Sequence, residues 1–375
     1  MLDITPDTQN AIRQRLAQQE RDRFITTHPK SKALAEEAAA HWLFGVPLHW
    51  MSDWSTPFAL QVTQAQGATV TDVDGHRYID FCLGDTGAMF GHASPPVVQA
   101  VQREVARGCT TMLSSQDSAW VGAELARRFG LPLWQSALSA SDANRFLLRW
   151  VRAATGRKKL LVFNGCYHGT LLVLDETHTF SSGPGGYARL HGLQPDALVL
   201  GKPIAGGLPC AVYGMTAELA ERAVQAKRDA PPGHSGIGTT LTANRLTMAA
   251  MRATLAEVAT NAAFDHMISL CSELADGLRA CISRHQLPWC VTQVGARCEF
   301  QFGAIPPTNG TQAEALFDAA LEHLIHLALL NRGVLITPFH NMLLCSPATT
   351  RADVAHMLQT FDEVLARLTA AGVLI

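Results

Sequence analysis

The chain has 375 residues and a formal net charge of -2, with 47% hydrophobic and only 17% charged residues. That length allows two or three domains, and the charged fraction falls below the ~25% usual in soluble domains, so a subunit contact covering part of the surface is expected. Thirty basic residues balance thirty-two acidic ones with no basic cluster or acidic tail. Neither nucleic acid nor an anionic membrane is therefore an expected partner.

From Thr8 to Gly45 the pattern is helical, polar at first and then Ala-rich. This suits an N-terminal arm on a partner subunit or a plain amphipathic helix. The polar start and the lack of an ~18-residue apolar run argue against a leader or a membrane span, and a cytoplasmic protein is expected. Residues 58–82 alternate apolar and polar around Gly67 and Asp74-Gly75, the signal of a small antiparallel meander. Helices are expected from Pro95 to Gly108, over 117–129 behind the candidate caps Asp117 and Ser118, and from Ser141 to Gly156.

Four short apolar runs follow at 160–164, 171–175, 197–201 and 210–215. Runs of this kind belong to parallel strands buried on both faces. Further helices are expected at 216–228, 243–260 and 263–285, then a strand in CEFQFG, a helix over 311–331, a strand in VLITP, and a last helix opened by Thr350-x-x-Asp353. The nine cysteines are scattered, with no CxxC pair and no zinc-like Cys/His spacing, so no metal is expected and a reducing compartment is.

One interval conflicts with this order. Only Gly165 to Thr170 separate the strands at 160–164 and 171–175, whereas a parallel crossover needs roughly ten to twelve residues or more. A hairpin would resolve this; the expectation preferred here is a missing segment, with Thr170 and Leu171 not adjacent in the folded protein.

Lys202 ends an apolar strand and precedes Gly206-Gly207. In an open α/β sheet that position faces the ligand crevice, so the amine is either a Schiff-base nucleophile or a loop-edge lysine with its head in water. Asp175 ends another strand and suits either a protonated ring nitrogen or a turn. Residues 139–144 (SASDAN) open a helix with hydroxyls, as a phosphate cup or an ordinary cap does. Tyr167-His168 lies between glycines and could lay a ring on a flat cofactor. Together with Gly-Thr-Thr at 238–240, these are the parts of a pyridoxal-phosphate site.

The order DVDGHRYIDF, SASDAN, GCYHG, LLVLDETHT, ALVLGKPIAGG and GTTLTANRL resembles the class III aminotransferases of pyridoxal-phosphate fold type I, most of all the group around glutamate-1-semialdehyde aminomutase. The resemblance implies a large domain with a mainly parallel, helix-covered sheet and a smaller α+β domain made by both chain ends. Boundaries are expected at 1–85 for the arm and part of the small domain, 86–261 for the large domain and 262–375 for the rest. It also implies pyridoxal 5'-phosphate, with Lys202 bonding the cofactor and shuttling protons and Asp175 on the ring nitrogen. Tyr167, with His168 beside it, would lie over the ring and Thr177 behind it. Ala140 and Ser141 would stand in the phosphate cup, and Thr240 (or Thr239) would reach the phosphate of a neighbouring subunit in a homodimer. The implied reaction is ping-pong transfer from an amine donor to a carbonyl acceptor. The alternatives are an aminomutase, or an inactive homologue if the segment between Gly169 and Leu171 is truly deleted. Trp50 and Trp54 could wall a substrate pocket or pack in a core; Arg297 could bind a carboxylate, or lie at the surface or between strands.

Overall fold

The computed structural model describes residues 6–157, 159, 171–231 and 237–374. The expected strand at 160–164, Tyr167, His168 and the Thr170–Leu171 junction lie outside the described residues. The chain divides into two compact units, one running to Asp85 and resuming at Met267, the other from Thr86 to His266.

In the first unit the N-terminal segment forms two helices, Pro6–Thr27 and Pro29–Ala39, rather than one. Pro29 supplies no N–H and keeps His28 non-helical at φ -122°, ψ 52°. The first helix buries Phe24 among Val70, Tyr78, Leu327 and Leu330. Its buried Glu20 meets Asn331, Arg332 and Arg367.

The meander is present as strands Val62–Gln66, Thr69–Asp72 and Arg77–Asp80, with Val334–Leu335 added in parallel to the last of them. Tyr78 donates to Asp72 at 2.7 Å and contacts His28 Nε2 at 2.8 Å, and His76 also bonds Asp72, which clasps the second helix opening to the sheet. A second, antiparallel sheet orders Met342–Leu344, Arg297–Gln301 and Cys290–Val294. The first and last of these strands are not among the elements expected from the sequence.

The helix expected over 311–331 is broken into Gly310–Glu314 and Ala319–Leu330, because the Asp318 carboxylate accepts from Leu321 N and starts a new helix. The final helix, Arg351–Ala370, carries the expected capping box: Thr350 Oγ1 accepts from Asp353 N at 3.2 Å, and Asp353 accepts from Thr350 N at 2.8 Å.

Among the described residues, the second unit holds a four-stranded sheet ordered Leu133–Ala137, Ala211–Met215, Ala197–Leu200, Val173–Asp175. Only the last two are parallel; Ala211–Met215 runs antiparallel to both neighbours. That corrects the direction read from its apolar run, since burial on both faces selects apolar residues whichever way a strand runs. Leu133–Ala137 was not expected, being alternately exposed and half-buried rather than continuously apolar. The helix Asp117–Phe129 starts behind Gln116 without a side-chain cap, and its Asp117 pairs instead with Arg252 at 2.7 Å. It stops at Gly130, whose φ of +76° favours a glycine.

Candidate active site

The site in the second unit begins at a close approach of backbones. Strand Ala197–Leu200 ends at Gly201, and a Cβ placed there would lie 2.7 Å from Ala140 Cβ and 3.1 Å from Ala140 N. Only a glycine lets this strand end lie against the start of the helix Ala140–Thr155. Ser139 caps that helix by accepting from Asp142 N at 3.1 Å, which leaves the N–H groups of Ala140 and Ser141 outside the intrahelical ladder. The helix dipole and these donors favour an anion at the spot.

Lys202 follows immediately with φ +43°, a left-handed conformation that costs a non-glycine residue ~1–2 kcal/mol. Such a conformation persists only where its surroundings impose it. The Thr177 hydroxyl accepts from Gly201 N at 3.1 Å, tying the lysine turn to the end of the neighbouring strand. There Asp175 Oδ1 accepts from Thr177 N at 2.9 Å, and Asp175 Oδ2 accepts from Asn144 Nδ2 at 2.6 Å. Asn144 lies one turn beyond Ser141 on the same helix, so the aspartate is held to the helix that carries the anion cup.

Beside them His178 Nε2 lies 3.1 Å from Lys202 Nζ, and His178 Nδ1 lies 3.1 Å from Thr86 Oγ1. Glu176, next to the aspartate, is buried with a carboxyl pushed up by that burial, and accepts from Tyr187 N and Ala188 N. Its role is to anchor the following segment.

The structure therefore brings Lys202, Asp175, Thr177, Ala140 and Ser141 together. Thr240 is exposed in a separate loop of the same unit, where the adjacent Thr239 pairs with Thr242 at 2.8 Å. Trp50, Trp54 and Arg297 belong to the first unit. There Trp50 meets Phe339 edge-on at 6.1 Å, and Trp54 lines a cavity of about 740 Å³ with Arg21, His323 and Phe339. Burial pulls the Arg297 guanidinium below its ordinary value against Asp85, Cys271 and Glu299.

Asn144, His178 and Thr86 were not anticipated. Two signals were available: a polar residue three positions after Ser141, and an imidazole directly after the Asp-Glu-Thr run.

The family model for class-III aminotransferases matches residues 50–174 and 168–365. The chain belongs to that family. Its cofactor is pyridoxal 5'-phosphate, and its fold is that of the fold-type I transferases. A glutamate-1-semialdehyde-aminomutase from Pseudomonas aeruginosa has 41% identity and a TM-score of 0.91 over 96% of this chain and 99% of its own. A lysine-to-alanine variant of such an enzyme from the same organism is known in complex with PMP. A glutamate-1-semialdehyde 2,1-aminomutase from Chloroflexus aggregans is 27% identical over 404 residues, covering 81% of this chain and 90% of the relative. A β-phenylalanine aminotransferase from Variovorax paradoxus, 22% identical, shares the fold with a TM-score of 0.84 over 96% of this chain and 98% of its own.

The residues present fit the cofactor. A helix start stripped of a Cβ opposite it offers free N–H donors and a hydroxyl to a phosphate, and a carboxylate and an amine stand on adjoining strand ends. The 404 aligned positions exceed the length of the whole chain, so the Chloroflexus relative carries residues without a counterpart here. The family match also divides at 168–174, where the crossover was expected to be missing.

Proposed function

We propose that the protein is an aminotransferase that moves an amino group between an amine or amino acid and a carbonyl acceptor, such as a keto acid. The observation that carries this reading is the tie between Thr177 and Gly201, which sets Lys202 and Asp175 side by side at the start of the Ala140 helix. Bound pyridoxal phosphate supplies an electron sink that makes the substrate Cα–H acidic.

The chain's own residues divide the remaining work. Ser141 Oγ with the N–H groups of Ala140 and Ser141 would hold the phosphate, and Asp175 would keep the ring nitrogen protonated by accepting from it. Lys202 Nζ would bond the cofactor until an incoming amine displaces it. The freed Nζ would then take the Cα proton and return it to the cofactor side. Donor and acceptor would use this one site in turn, which gives a ping-pong order in which the carbonyl product leaves before the acceptor binds.

Tyr167, with His168 beside it, would cover the ring, and Thr240 would reach the phosphate of a partner subunit in a homodimer. Trp50, Trp54 and Arg297 would select the substrate. The free thiols of the eight described cysteines suit a cytoplasmic location. No described helix is long and apolar enough to cross a membrane.

A second reading, an aminomutase that keeps one substrate through both halves, draws support from the aminomutase relatives. A third, an inactive homologue, draws support from the divided family match. Loading the purified protein with pyridoxal phosphate separates the three. A visible band of lysine-bound cofactor, absent in Lys202→Ala, is expected. With a donor alone, an aminotransferase yields one equivalent of carbonyl product per site and stops until an acceptor is added. An aminomutase converts glutamate-1-semialdehyde completely with no acceptor. No band at all leaves the inactive reading.

A further inference from the structure

We infer that His178 is a positioning residue for Lys202: its Nε2 holds the lysine amine whenever that amine is not bonded to the cofactor. The inference rests on the reading above only for what Lys202 does afterwards.

Two independent links place these residues together. The Thr177 hydroxyl bonds Gly201 N at 3.1 Å, which fixes the backbones just before His178 and Lys202 beside each other. The side chains then meet at 3.1 Å, with the far ring nitrogen held by Thr86 Oγ1, also at 3.1 Å.

Hydrogen-bond inventory fixes the roles. A lysine ammonium has three donors and no acceptor, so Nε2 must accept from it, and Nδ1 then carries the hydrogen and donates it to Thr86. When the lysine is a neutral amine the same atoms work in reverse. Nε2–H donates to Nζ, and Nδ1 accepts from the Thr86 hydroxyl, which can turn either way. Both contacts keep one donor and one acceptor in either protonation state of Lys202 without moving a heavy atom. Such a neighbour suits a lysine that alternates between carrying a proton and giving it up, and the threonine behind the ring holds the imidazole for it.

The test uses cofactor-free protein, so its outcome does not depend on whether the loaded protein transaminates, isomerises or does nothing. Trace acetylation with acetic anhydride at pH 8 is followed by peptide mass spectrometry, with exposed Lys227 of the same unit as the internal standard. In the wild type the hydrogen bond to His178 engages the Lys202 amine and slows its labelling. His178→Leu is expected to raise the Lys202/Lys227 ratio about two- to fivefold, the effect of one partly exposed charge-assisted hydrogen bond. His178→Gln, which keeps an acceptor, should bring the ratio back towards the wild type. Thr86→Val should raise it by a smaller factor, and it decides the matter together with His178→Gln if His178→Leu does not fold. A ratio unchanged in His178→Leu, or in Thr86→Val should that variant have to decide, overturns the inference. So does a His178→Gln variant that behaves like His178→Leu, because removing a merely structural side chain would not be rescued by an acceptor.

Discussion

Gly201→Ala is the substitution that most directly tests how the site is assembled. The added Cβ would sit 2.7 Å from Ala140 Cβ, 3.1 Å from Ala140 N and 3.2 Å from Ala140 Cα. Carbon atoms in ordinary contact lie ~3.5–4.0 Å apart, so the overlap is about 1 Å. Two of the three atoms met are backbone, so no rotamer change relieves it and the helix start must back away. Gly201 has φ -130°, outside the left-handed region, so the close contacts rather than a positive φ set the cost. Overpacking of this size costs roughly 1–3 kcal/mol. Because the displaced group is the proposed phosphate cup, a similar loss should appear in cofactor affinity, about 10- to 100-fold in Kd at 1.4 kcal/mol per tenfold.

The assay is a cofactor titration read by absorbance, with a thermal melt of the cofactor-free protein alongside. Gly122→Ala is the control. It lies inside the helix Asp117–Phe129 with nothing within 4 Å of the new methyl, so it should stabilise the protein slightly and leave affinity unchanged. Wild-type cofactor affinity in Gly201→Ala would refute the reasoning.

Asn144→Ala removes the 2.6 Å bond that aims Asp175, and turnover is expected to fall about tenfold or more with the melting temperature little changed; kcat at saturating cofactor checks it. Burial pushes the Glu322 carboxyl up to about 7, with Glu299 and Asp318 adding to it and His340 opposing. Its folded-state value therefore lies above the unfolded one, so stability is greatest below the ordinary carboxylate range, declines as pH rises to about 7, and is level above that. Glu322→Gln should accordingly stabilise the protein at pH 8, by roughly 1–2 kcal/mol, and much less at pH 5, as urea midpoints at the two values would show. Thr350→Ala opens the capping box of the last helix and should cost ~1 kcal/mol in the same urea experiment, without changing cofactor affinity.

The parts of the candidate site legible in the sequence were those whose position along the chain already implied a place in space. Lys202 and Asp175 each end an apolar run, and strand ends in an α/β sheet converge. The capping box at Thr350 and the meander around Gly67 and Asp74-Gly75 were legible because their chemistry is local. What escaped the sequence was decided by partners far along the chain. Leu133–Ala137 is a strand only because Ala211–Met215 pairs with it, and its LWQSA pattern has neither period nor apolar run. Asp117 looked like a cap because its partner, Arg252, is remote in sequence. His178 and Thr86 are 92 residues apart, and no local pattern in either announces the other. Asn144 was within reach, since it stands one helical turn from a residue already singled out.

The discontinuity of the first unit has a consequence for how the chain is made. Leu16 and Phe81 are buried among residues from Leu270 onward, and Phe24 among Leu327, Leu330 and Leu335. The unit from Thr86 to His266 is contiguous and emerges whole, while the opening segment waits with its apolar side chains uncovered. At ~5–20 residues per second, the delay between translation of Phe81 and completion of its partners is roughly 15–60 s. During that interval the nascent protein exposes Leu16, Phe24 and Phe81 and an unpaired strand edge, the surfaces that chaperones bind and that aggregate when crowded on one messenger. A chain released early in its final third would carry the lysine-bearing unit and an N-terminal segment whose partners from Leu270 onward are missing.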